Sequence, residues 1–242
     1  MNYTASISDF FKSPKWVMNL LLGGVCVLIP FVGLIVVLGW LVTGFWARQD
    51  ENFESFPDFD FSHFGKYLER GLWPFLVTLV VSLLLVPVIW VLMIPAMLIS
   101  GLVSGNDGTA GGCLALVSMI LTMACVFLLV AAMMMLLTPL TIRAAITQDF
   151  AKSFDFRFAK QFVALVWKEM VLSSLFLVFA GIGLSLVGMI LFCVGIYFAN
   201  VVIYFSWTHL DKQLYLLYLS RGGEPVPLSP KLNDLSPAVS PC

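Results

Sequence analysis

Charge is what this sequence has least of. Its 242 residues carry 13 Lys+Arg and 14 Asp+Glu, so 11% are charged, against about 25% in an average soluble domain. So few charges cannot cover the surface of a water-soluble globule. That excludes a cytosolic enzyme and a disordered chain. A formal net charge of -1 leaves no basic excess, which excludes a nucleic-acid partner. The five cysteines, Cys26, Cys113, Cys125, Cys193 and Cys242, are scattered and form no C-x-x-C. A secreted disulfide scaffold is excluded with them, and four of the five read as small core residues. Nucleophilic catalysis has no footing, because neither G-x-S-x-G nor H-E-x-x-H occurs. No Gly-rich phosphate loop is present either. The apolar tracts hold essentially no ionisable residue at mid-membrane depth, which lowers the case for an ion-coupled transporter.

Apolar residues fill that space, at 60% of the chain and a mean hydropathy of +0.99. The charges are segregated. None lies between Trp16 and Ala47, only Asp107 lies between Arg70 and Arg143, and none lies from Met170 to Leu210. A bilayer core about 30 Å thick needs about 20 apolar residues to cross. The fold class is therefore an all-α, polytopic membrane helix bundle. Trp16–Trp46 is 31 residues, or about 46 Å of helix, too long for one ordinary span. Pro30 and Gly33 divide it into a tight hairpin of two short helices, near 14–29 and 32–52. Ser104–Gly112 reads as a loop and splits the middle tract into helices near 70–101 and 113–145. Pro74, Pro87 and Pro95 should bend the first of these, and Pro139 the end of the second. Gly181-Ile182-Gly183 should split the last tract into helices near 160–180 and 184–219. The total is about six transmembrane helices.

With six spans all 13 Lys and Arg fall on one side, as the positive-inside rule asks. Both termini are then cytoplasmic, and the location is the cell (inner) membrane. A cleaved signal peptide is not expected, because the first apolar stretch is too long and no A-x-A-like site follows. Three parts are expected: an interfacial segment at 1–13, a transmembrane helical domain at 14–219 and a tail at 220–242. The tail is rich in Pro and Ser and should be disordered or extended.

Two connectors look alike. Phe53–Phe61 and Phe150–Phe158 each carry Ser-Phe and then Asp-Phe-x-Phe before the next span. A parallel internal repeat is one account, and shared interfacial chemistry is the other. Their phenylalanines should lie along the cytoplasmic membrane surface, as amphipathic segments packed on the helix ends. Glycines at helical spacing, including Gly181, Gly183 and Gly188, should allow close helix packing.

The stretches Leu22-Gly23-Gly24, Ile29-Pro30-Phe31-Val32-Gly33, Gly39-Trp40, Phe56-Pro57-Asp58-Phe59, Gly71 and Thr138-Pro139 together resemble the prokaryotic membrane family called Domain of Unknown Function 4013. The likeness covers most of residues 8–215. That family usually has a Leu-Pro-Glu-Trp-type connector where this chain has Phe56-Pro57-Asp58-Phe59. The resemblance implies a polytopic membrane protein of bacteria or archaea and supplies no activity or catalytic residue.

The polar candidates are few. If the connectors and the end of the last helix converge, Asp58, Asp60, His63, Asp155, His209 and Asp211 would form an acid–histidine cluster able to hold a metal or move a proton. The plainer account gives the acids to water and the neighbouring phenylalanines to lipid headgroups. Asn19, Asn200 and the serines and threonines of the spans read first as helix–helix hydrogen bonders. No cofactor is expected. The expected partners are the lipid bilayer and a membrane protein or second copy of the chain. Three functions remain in order: a scaffold, assembly or accessory component; a transporter or channel for an apolar or lipid-like substrate; and a membrane enzyme using the acid–histidine cluster.

Overall fold

The structure is a computed structural model that describes residues 1–48, 52–104, 109–190 and 194–235. Among the described residues it is all helix, without strands. A short N-terminal turn, α1 (Ala5–Ser8), leads into α2 (Trp16–Val27) and α3 (Val32–Trp46). After the first connector come α4 (Phe64–Ser104) and α5 (Thr109–Thr147). A single turn, α6 (Phe150–Ser153), precedes α7 (Phe156–Ile190) and α8 (Gly195–Ser220). Among the described residues three stretches, Phe61–Pro95, Leu116–Thr147 and Phe150–Ile190, are long and apolar enough to cross a membrane.

The α2–α3 hairpin turns where Pro30 interrupts the helix. The Val32 N–H donates to the Pro30 carbonyl at 2.7 Å. Phe31 takes φ 60, a left-handed conformation that is uncommon for a bulky residue. The two helices have 12 and 15 residues and rise only about 18 and 22 Å. α3 ends at Trp46, short of the expected 52.

Close backbone approach sets α3 against α4. A Cβ on Gly39 would collide with the Tyr67 carbonyl, and one on Gly71 with the Ile35 carbonyl. The first connector then folds over α3. Phe56 and Phe59 stand edge-on to Trp40, each with its ring centroid at 5.5 Å, and the Trp40 indole N–H donates to the Pro57 carbonyl at 2.8 Å. Phe205 of α8 joins at 5.2 Å from Phe56. The connector phenylalanines are thus split. Phe56 and Phe59 are buried in the core, while Phe61 and Phe156 are exposed.

The expected break at Gly181–Gly183 is absent, since α7 runs on to Ile190. Gly183 has no neighbour near its Cβ position and Gly181 only Ile203 at 3.8 Å. Neither supports tight packing, and glycine is tolerated inside lipid-exposed helices. Gly188 behaves as expected, lying against the Gly195 backbone. α7 instead departs from helical geometry at Val166 (φ -131, ψ 18). The Leu165 carbonyl beside that kink accepts from the Arg221 guanidinium, which also holds Glu169.

As far as it is described, the tail is docked on the bundle and closes in a short 3-10 helix at Pro230–Leu235. Val226 and Leu232 are buried. The Val226 N–H donates to the Tyr215 hydroxyl at 2.8 Å and the Ser229 N–H to the Ile146 carbonyl at 2.9 Å. Buried Arg70 holds the Lys231 carbonyl at 2.8 Å. Residues 236–242, with Cys242, lie outside the described residues, as do 105–108 and Cys193; of the loop expected over Ser104–Gly112, Ser104 ends α4 and Thr109 to Gly112 belong to α5. At the N-terminus Ser6 is buried and hydrogen-bonded to Ser206 at 2.7 Å, so residues 1–13 also pack on the bundle.

Candidate functional site

The six acid and histidine candidates do not converge. Asp58 pairs with Lys15 at 2.8 Å, and that carboxylate holds the Lys15 ammonium above its usual pKa. Asp60 accepts from the backbone N–H and the hydroxyl of Ser62 at 2.8 and 2.7 Å. Those hydrogen bonds keep its carboxyl below the usual range. His63 stands 3.8 Å from Asp60 on the exposed connector. Asp155 caps the start of α7, accepting from the N–H groups of Arg157 and Phe158 at 3.0 and 3.1 Å, and meets Arg143 at 2.9 Å. His209 is buried, stacked on Phe45, and faces Asp9 of the N-terminal segment at 3.8 Å. Among the described residues no group of three His, Cys, Asp or Glu side chains is placed to hold a metal ion.

Asn19 is likewise occupied. It is buried, and its side-chain oxygen accepts from the Phe59 N–H at 2.8 Å. That bond ties α2 to the connector, so the residue serves the fold.

Asp211 stands apart from all of these. It follows His209 by two residues on α8 and therefore points to a different face. There it lines a cavity of about 430 Å³ between α3, α4, α5 and α8. Pockets for small ligands span about 300–1,000 Å³. The α3 wall is Leu34, Leu38, Val42 and Trp46, one residue per turn along the whole helix. α4 contributes Phe75, Leu79 and Ser82, and α5 contributes Ile142 and Ala145. Tyr204, Trp207 and Thr208 of α8 complete the Asp211 wall. At the other end lie Pro30 and exposed Phe31, at the tip of the α2–α3 hairpin. Asp211 is 9% exposed, and among the described residues no hydrogen bond or ion pair reaches its carboxyl. The cavity was invisible in the sequence because its lining comes from four helices. The legible signal was a lone acid one residue past a charge-free tract.

The family model described as a protein of unknown function, DUF4013, matches residues 22–193, well over half of the chain. The chain belongs to this family. No curated protein and no solved structure matches it. The DUF4013 match contains the α3, α4 and α5 walls of the cavity and stops before α8. The matched region therefore frames the apolar part of the site, while Asp211 and the docked tail follow it.

Proposed function

We propose that this chain is a multi-pass protein of a prokaryotic cell membrane that holds an apolar, lipid-like molecule in the α3 cavity, as a carrier or transporter would. The observation that carries the reading is the cavity itself. It is walled almost wholly by apolar side chains along the length of α3 and ends at an exposed hairpin tip.

The membrane arrangement that fits best has four crossing helices, α4, α5, α7 and α8. α2 and α3 enter as a half-depth hairpin, because helices of about 18 and 22 Å fall short of a core about 30 Å thick. Both ends of α2–α3 then lie on one side, the same side as both chain termini, and the Lys and Arg bias makes that side cytoplasmic. Impermeant thiol reagents should therefore fail to label cysteines placed at exposed Ser8 and Glu224 in intact cells.

The cavity is tested by purifying the protein in mild detergent and weighing intact complexes by native mass spectrometry. Wild type should retain a bound lipid-like molecule, and Leu38→Trp, which fills the middle of the α3 wall, should lose it. Equal retention by both would overturn the reading.

A scaffold or accessory role is the second reading. It draws on the outer halves of α4 and α5, where Leu84, Val91, Ile120 and Leu128 are all exposed. A membrane protein partner or a second copy would bind along that arm and would appear as a stoichiometric companion on purification.

A further inference from the structure

The cavity is built for more than an apolar chain, because one of its walls carries a carboxyl group that has no partner among the described residues. Taking a charged group out of water without a partner is expensive. Asp211 is 9% exposed, and it lies on a cavity surface that is otherwise nearly all apolar. The other polar groups there sharpen the point. The Thr208 hydroxyl donates to the Tyr204 carbonyl at 2.9 Å, the Thr78 hydroxyl to the Pro74 carbonyl at 2.8 Å and the Thr141 hydroxyl to the Thr138 carbonyl at 3.0 Å. With their protons committed to their own helices, these oxygens offer the cavity only lone pairs. Tyr204, Trp207 and Ser82 add hydroxyl and indole donors to the lining, and what the lining itself lacks is a positive charge to set against Asp211. Trp207 lies one turn before Asp211 on the same wall, and Tyr204 one turn before that. Aromatic faces beside a carboxylate favour a cationic nitrogen.

We propose that the ligand of the α3 cavity is a single-chain amphiphile whose head is an ammonium group, paired with Asp211, and whose apolar tail lies along α3 toward Phe31. The proposal rests on the cavity reading above and names the ligand class. The groove along α3 from Trp46 to Phe31 is about 22 Å long, which suits one extended alkyl chain. An ammonium head lets the buried carboxyl ionise as a paired charge, whereas an anionic head offers it no compensating charge and is disfavoured. A transition-metal ion is disfavoured too, because among the described residues no group of three His, Cys, Asp or Glu side chains is placed to hold one.

The test uses the full-length protein in phosphatidylglycerol nanodiscs, which bring no ammonium of their own. Three photo-crosslinking probes of equal chain length are compared: hexadecylamine, hexadecanol and palmitic acid, each with a diazirine in the tail. The amine should label α3 and α8 peptides at least tenfold more efficiently than the alcohol, and the acid least of all. Asp211→Asn should bring the amine down to the alcohol's level, and Asp211→Glu should keep the preference. Elution as a single symmetric peak on gel filtration shows that each variant is folded. If Asp211→Asn does not fold, the Asp211→Glu and wild-type profiles still carry the comparison between heads. Equal labelling by amine and alcohol in wild type, or an amine preference that survives Asp211→Asn, would overturn the ammonium assignment and leave the cavity reading intact. Absence of Leu38→Trp-sensitive labelling by any probe would overturn both.

Discussion

α3 and the outer half of α4 are composed of the same kinds of residue and have opposite surroundings. α3 buries 12 of its 15 residues. On α4, Leu83, Leu84, Val91 and Leu98 are each more than 60% exposed. Hydrophobicity alone does not separate these stretches, because in lipid it gives no drive for helix to meet helix. Small residues and aromatic anchors do. Gly39 and Gly71 let the α3 and α4 backbones touch, and Trp40 gives the connector phenylalanines a ring to pack on. Beyond Val81, α4 leaves the buried core shared with α5 and α7, and its surface is left to lipid or to a partner.

The sharpest way to break this contrast is to add bulk at the close approach. Gly39→Leu or Gly71→Leu must push apart two main chains, which cannot yield as a flexible side chain would. The expected cost is about 3 kcal/mol or more, at the upper end of overpacking effects. Gly183→Leu, on the open face of α7, should stay within about 0.5 kcal/mol. Folded yield after detergent extraction, followed by thermal aggregation, measures all three. A tolerant Gly39→Leu would mean that α3 and α4 are not held by backbone contact.

A smaller effect separates the docked tail from its charged neighbour. Leu232 is fully buried, so Leu232→Ala should cost about 2–3 kcal/mol. Lys231, beside it, makes an exposed pair with Glu69 at 2.7 Å, and such pairs are worth about 0–1 kcal/mol. Lys231→Ala should therefore be close to neutral, since Arg70 holds the main-chain carbonyl at that position. Limited proteolysis of the tail reads both. Cleavage before residue 235 at equal rates in wild type and Leu232→Ala would show that burial of Leu232 does not hold the tail.

The sequence made some of this legible and hid the rest for definite reasons. The apolar tracts and the turn at Pro30 followed from periodic composition and from proline and glycine chemistry. The kink at Val166 had no proline or glycine to announce it, and the carbonyl it presents is held by a distant Arg221. The docked tail escaped because its two apolar anchors, Val226 and Leu232, sit among prolines and serines that by composition argue for a solvated chain. The site followed the same pattern. Local spacing singled out Asp58, Asp60 and His63, which the fold leaves at the surface. Asp211 was noticed for its place beside His209. Its cavity depends on α3, α4 and α5, which no local pattern connects.

The smallest expected effects distinguish the two connectors, whose similar Asp-Phe-x-Phe runs do different work. Asp155 accepts two backbone N–H groups at the start of α7 and pairs with half-buried Arg143. Losing such a cap costs about 1 kcal/mol. Asp58, at the matching place in the first connector, pairs through its side chain with the exposed Lys15 ammonium, and His63 lies beside exposed Asp60. Asp155→Ala should therefore lower stability by about 1 kcal/mol, while Asp58→Asn and His63→Gln stay within about 0.5 kcal/mol of wild type. A metal centre would behave otherwise, because a shared ion is lost when any one ligand goes. Metal analysis of the purified wild type and of both connector variants decides between these outcomes. A stoichiometric transition metal that disappears in Asp58→Asn or His63→Gln would make the first connector a metal site, and the surface role assigned to its acids would be wrong.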